Sequence, residues 1–128
     1  AFIEFNHTDG SDNVRGPYPP AGPDWSRAIR DDVTEALTGV EMTSADPEGL
    51  AQHWGRIVGV PVSREAGYPV LALPNCTFRF VVGAGDAMSG LTFRVRDPAR
   101  VSAAAQARGH AVTANSFVLA GVTFHLAN

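Results

Sequence analysis

The chain has 128 residues, of which 45% are hydrophobic and 18% charged, and this composition predicts one globular domain with a single core. Its formal net charge of −3 offers no basic surface for nucleic acid, and no apolar run approaches the roughly 20 residues of a membrane-spanning helix. We therefore expect neither a nucleic-acid nor a membrane partner. All ten basic residues are arginine and the single cysteine is Cys76, which excludes a Schiff-base lysine and an internal disulfide.

The first 35 residues differ from the rest of the chain. They open with a hydrophobic segment, 1–6, whose aromatic and β-branched residues predict a strand. A turn-rich segment follows, and its four prolines between positions 17 and 23 favour an extended connector. No signal peptide precedes the first strand, so we expect a cytoplasmic location.

The remainder of the chain repeats one order of elements. The Asp-Pro dipeptides at positions 46–47 and 97–98 each place an N-cap before a proline at the first helical position. Each predicted helix follows a strand, ends at a glycine and precedes short strands. The repeat predicts two similar modules, at about 36–88 and 89–128.

Alternation along the predicted strands separates an apolar face from a polar face. The apolar face must be the core side, because a one-residue slip would expose every phenylalanine to water. Its strand residues are Val40, Met42, Phe78, Phe80, Val82, Leu91, Phe93, Val95, Val122, Phe124 and Leu126. The residues of the first helix expected to pack on it are Leu50, Trp54, Ile57 and Val58. The polar face collects Glu41, Thr43, Arg79, Thr92, Arg94, Thr123 and His125.

Two interpretations of the polar face remain open. In the first, it forms a pocket for a small anionic or oxygen-rich ligand, with two arginines as planar donors and an imidazole as acid or base. The predicted ligand-binding residues are then Glu41, Arg79, Arg94 and His125. In the second, Glu41 pairs with an arginine across the sheet, and the face is solvated or covered by a partner chain.

The order of these elements resembles the vicinal oxygen chelate superfamily, which includes glyoxalase I, bleomycin-resistance proteins and extradiol dioxygenases. The resemblance rests on the segment GVEMTSADPE at 39–48 with its helix, and on LTFRVRDP at 91–98. It implies an α+β fold in which two βαβββ modules form a curled mixed sheet with helices packed outside. It also implies that 1–35 is a strand and linker left from a preceding module, and that 36–128 is a glyoxalase-like domain.

The superfamily binds its metal through residues on the first and last strands of each module. Matched onto this sequence, those positions fall on Gly39, Gly90, Arg79 and His125. Glycine has no ligating side chain and arginine is a cation, so the resemblance implies no cofactor in this domain. Glu4 matches the glutamate of a preceding module, and it would ligate a divalent metal only together with residues of an upstream domain.

We predict from these residues a glyoxalase-like domain of a bacterial protein, either a metal-free accessory domain or one that binds a small molecule. The alternative is a part of a metal-dependent lyase or dioxygenase whose metal site lies mainly in an upstream domain. Modules of this superfamily often pair, so the resemblance also implies a homodimer or pairing with an upstream module. The sequence leaves open whether the domain is an enzyme.

Overall fold

A computed structural model describes most of the chain, namely residues 8–10, 13, 16 and 18–128. The chain divides into two compact units, Ala1–Asp31 and Asp32–Asn128. The described part of the first unit contains two short 3-10 helices, Pro19–Ala21 and Trp25–Ala28. The predicted strand 1–6 lies outside the described residues, and its origin in a preceding module stays a prediction.

The second unit is an α+β domain whose eight strands form one mixed sheet. Its elements are β1 Thr34–Ser44, α1 Pro47–Val58, β2 Ser63–Glu65, β3 Tyr68–Ala72, β4 Thr77–Val82, β5 Ala87–Val95, α2 Pro98–Ala107, β6 Val112–Thr113, β7 Ser116–Leu119 and β8 Val122–Ala127. The strand order is β2-β3-β4-β1-β5-β8-β7-β6, with β1–β4 and β5–β8 parallel and the other pairs antiparallel. The predicted pair of βαβββ modules is confirmed. We call β1 to β4 with α1 the first module, and β5 to β8 with α2 the second module.

Both helices begin where the sequence predicts. The carboxylate of Asp46 accepts a hydrogen bond from the Gly49 amide at 2.9 Å, and that of Asp97 accepts one from the Arg100 amide at 2.9 Å. Helix α1 ends at Gly59, whose φ of 71° is the left-handed conformation that glycine adopts without strain. Among the described residues, neither helix is long and apolar enough to cross a membrane.

The densest core lies between α1 and the strands of the first module. Phe80 and Ala51 are fully buried at 0% exposure, and Leu71 is 1% exposed. The Trp54 ring packs against Phe78 and Phe80, with centroids 5.4 and 6.0 Å apart. The predicted apolar face of β4 therefore packs against α1.

Two residues assigned to the core by the sequence pattern are exposed instead. Val82 is 78% exposed because it is the last residue of β4, beyond the part of the strand that α1 covers. Ile57 is 43% exposed because it lies in the last turn of α1, away from the line of contact that Trp54 makes with the sheet. Alternation and helical periodicity thus overestimate burial near the ends of elements.

Candidate functional site

The pairing of four strands brings three predicted site residues together on the polar face. Glu41 of β1 lies opposite Arg79 of β4 and opposite Gly90 of β5. His125 of β8 lies opposite Thr92 of β5, so β5 separates it from Glu41. Because Gly90 has no side chain, Glu41 and His125 both approach over it. A Cβ atom placed on Gly90 would lie 3.3 Å from Glu41 Cβ and 3.3 Å from His125 Nε2.

Two hydrogen bonds hold the side chain of Glu41 in place. Its carboxylate accepts hydrogen bonds from Arg79 Nη2 at 2.5 Å and from Ser89 Oγ at 2.8 Å. Burial would raise the pKa of Glu41, but the hydrogen bonds from Ser89 and Arg79 and the charges of Arg79 and His125 outweigh burial and lower it. Glu41 is therefore a stable carboxylate at neutral pH.

Arg79 is held on two sides. Glu41 binds one end of its guanidinium, and the ring of Tyr68 lies 5.3 Å from its Cζ atom, within cation–π range. The side chain nevertheless remains 42% exposed. A guanidinium has five N–H donors, and the bond to Glu41 uses one of its amino groups. Further donors of Arg79 are thus oriented and available to a ligand.

A cavity of about 330 Å³ opens above this group. We call this cavity the cup; the polar side chains that line it are Glu41, Glu65, Thr77, Arg79, Thr92 and His125. Glu65 reaches the cup because the turn between β2 and β3 at Ala66 and Gly67 carries the end of β2 beside it. The volume lies at the small end of the range for ligand-binding sites.

The fourth predicted ligand-binding residue lies elsewhere. Arg94 Nε binds a carboxylate oxygen of Glu35 at 3.1 Å, and Arg96 binds the other oxygen of Glu35 at 3.5 Å. Arg94 pairs with Ala36, toward the end of β5, and it does not line the cup. The structure therefore separates Arg94 from the other three residues. Glu4, the predicted metal ligand, lies outside the described residues.

The donor set of the cup does not fit a divalent metal. The four positions matched to the superfamily's ligands hold Gly39, Arg79, Gly90 and His125, and the guanidinium is bonded to Glu41, the nearest carboxylate. Within the part of the chain that the structure describes, no three His, Cys, Asp or Glu side chains are grouped closely enough to hold a metal ion.

Solved structures share this arrangement of strands and helices. Methylmalonyl-CoA epimerase from Mycobacterium tuberculosis is similar over 77% of this chain and 90% of that chain, with 16% identity and a TM-score of 0.57. A methylmalonyl-CoA epimerase in complex with methylmalonyl-CoA and NH4+ is similar over 73% of this chain and 93% of that chain, with 11% identity and a TM-score of 0.59. A hypothetical protein from Staphylococcus aureus is similar over 72% of this chain but 32% of that chain, with 15% identity and a TM-score of 0.52.

The domain has the vicinal oxygen chelate fold. This confirms the fold that the sequence resemblance implies. Identities of 16% or less establish the fold alone, because this fold carries several unrelated activities. No protein-family profile and no curated protein sequence matches the chain.

Proposed function

We propose that the domain is a metal-free binding domain that holds a small polar ligand in the cup. The observation that carries the proposal is the cavity of about 330 Å³ above Glu41, Arg79 and His125. In this arrangement Arg79 and His125 donate to the ligand, while Glu41 orients Arg79 and accepts from the ligand.

Two partly exposed arginine–glutamate pairs of the domain differ in their surroundings, and only one of them has the surroundings expected of a binding site. The Arg94–Glu35 pair is also exposed, but it lies toward the end of β5 and does not line the cup. The Arg79–Glu41 pair forms the floor of a cavity, and Ser89 and Tyr68 fix its two side chains further. These additional contacts restrict the two side chains before a ligand binds. Less conformational entropy is then lost on binding, so the floor of the cavity is preorganised.

The metal-free part of the proposal rests on the donor chemistry. A guanidinium repels a divalent cation, and glycines at two of the matched positions contribute no ligand. The alternative, a metal-dependent lyase or dioxygenase completed by Glu4 and an upstream domain, stays a prediction. The homodimer also stays a prediction. Elemental analysis of a longer protein tests the metal site, and sedimentation tests the homodimer.

Amide chemical shifts measured by NMR test the proposed function directly. The probes are propionate, ethylammonium, L-alanine and glycerol, each titrated into the ¹⁵N-labelled protein. We expect at least one probe to shift the amides of Gly90, Arg79 and His125. We expect Arg79→Met to abolish binding of any probe that carries a carboxylate, and Arg94→Met, the matched control, to leave it unchanged. The proposal fails if no probe shifts these amides, or if both variants have the same effect.

A further inference from the structure

We infer that the ligand of the cup is a small zwitterion, with a carboxylate and an ammonium group close together as in a free α-amino acid. The inference rests on the proposed function, because it names the ligand class of the same cavity. It follows from the signs and positions of the charged side chains that line the cup.

The charges of the cup do not cancel. Apart from the imidazole of His125, the charged side chains of the cup are two carboxylates and one guanidinium, which leaves one surplus negative charge. The ion pair of Glu41 with Arg79 accounts for one charge of each sign. Glu65 has no ion-pair partner among the described residues, so it supplies the surplus.

Neither a simple anion nor a simple cation matches this set of groups. An anion on the open donors of Arg79 would add a second negative charge to a cavity that already carries a surplus. A cation beside Glu65 would neutralise the surplus but leave the remaining donors of Arg79 without a charged acceptor. A zwitterion supplies one group for each, and it adds no net charge to the cavity.

The two charged groups line the same cavity. Arg79 lies on β4 and Glu65 on β2, with only β3 between these strands, and both side chains line the cup. Tyr68 lies between them, since it pairs with Glu65 across the hairpin and contacts the Arg79 guanidinium.

The uncharged part of the cup suits the same ligand class. Thr77 and Thr92 both pair with Gly39, so their strands place two hydroxyl-bearing residues on either side of a position without a side chain. Hydroxyl groups both donate and accept, and they serve a carboxylate or an ammonium group equally well. A cavity of about 330 Å³ accommodates a small amino acid with its first waters.

Three probes that differ only in their charged groups test the inference. L-Alanine carries both groups, propionate lacks its ammonium group, and ethylammonium lacks its carboxylate. We expect L-alanine to bind at pH 7.5 about fivefold more tightly than either single-charge probe, as measured by NMR titration of the cup amides. Equal or tighter binding of propionate or ethylammonium would overturn the inference while leaving the proposed function intact. Absence of binding by all three probes would overturn the inference, and absence of binding by glycerol as well would overturn both the inference and the proposed function.

A substitution at Glu65 tests whether its negative charge favours the zwitterion. Glu65→Gln removes the surplus charge from an exposed side chain, so the fold should persist, as the amide spectrum will show. We expect it to reduce the preference for L-alanine over propionate about fivefold. The matched control is Asp86→Asn, which makes the same charge change in the loop before β5, outside the cup. An unchanged preference in Glu65→Gln, or an equal change in Asp86→Asn, would contradict the inference.

Discussion

The first and second modules share one order of elements but differ in how completely they bury the aromatic residues of their strands. In the first module, Phe80 and Leu71 are fully buried beneath Trp54 of α1. In the second module, the rings of Phe93, Phe124 and Phe117 stack on one another at 5.6 and 5.2 Å but remain partly exposed. The two modules therefore have the same order of elements but different side-chain packing.

The difference comes from the side chains of the helices. Helix α1 carries Leu50 and Trp54 toward the sheet, whereas the corresponding stretch of α2 is rich in alanine, with Ala105 buried against the domain. An alanine helix covers little apolar area, so the strand phenylalanines of the second module bury one another instead. The cup lies on the opposite face of the sheet and takes side chains from both modules. The difference in helix packing therefore does not affect it.

The largest expected effect concerns the core of the first module. Trp54→Ala removes the ring that packs on Phe78 and Phe80, and we expect it to lower the free energy of unfolding by about 3–5 kcal/mol. Phe117→Ala in the second module removes a partly exposed ring, and we expect a loss of about 1–2 kcal/mol. Urea unfolding measures both values. Equal losses would contradict the difference between the modules.

The next effect concerns the junction of the two modules at Gly90. Gly90→Ala places a methyl group 3.3 Å from both Glu41 and His125, and we expect a loss of stability of about 1–3 kcal/mol from overpacking. The same variant should weaken binding of L-alanine, because the methyl group forces the two side chains apart. Gly85→Ala is the control, since nothing lies within 4 Å of its added methyl group. Equal stability of the two variants would show that close approach over Gly90 is unimportant.

The smallest effect concerns acid stability. Because the pKa of Glu41 is lowered in the folded protein, its charged form stabilises the fold above the ordinary carboxyl pKa of 4.5. That contribution is lost as the pH falls through the lowered pKa of the folded state. Urea unfolding from pH 7 to pH 3 should therefore show a steeper loss of stability in the wild type than in Glu41→Gln. Parallel curves would mean that the bonds from Arg79 and Ser89 contribute no stability.

Alternation predicted the face of the sheet correctly but not the position along it. Glu41, Arg79 and His125 share the cup because a period of two fixes the side of a strand, and the strand register then aligns the three residues. Arg94 satisfies the same alternation, yet it lies near Glu35 toward the end of β5. A sequence pattern assigns a face, whereas only the register places a residue at a cavity.

No sequence pattern predicts Ser89, Tyr68 or Glu65 as site residues. The β1–β5 pairing shifts register after Glu41, and this irregularity lets Ser89 reach the Glu41 carboxylate, against strict alternation. Glu65 lines the cup and Tyr68 contacts Arg79 because both belong to the β2–β3 hairpin, whose position beside β4 depends on pairing between distant segments. The Ala-Gly turn at 66–67 between two short extended segments is the one local signal of this hairpin.

The central claim, that the cup binds a small ligand without a metal, is tested most directly on chelator-treated protein after the chelator has been removed by buffer exchange. L-Alanine is titrated into this protein and into the same protein supplied with zinc or magnesium, and the amides of Gly90, Arg79 and His125 are followed. We expect the same affinity in all samples and shifts centred on these residues. Binding that appears only with added metal, or shifts that lie elsewhere in the domain, would contradict the claim.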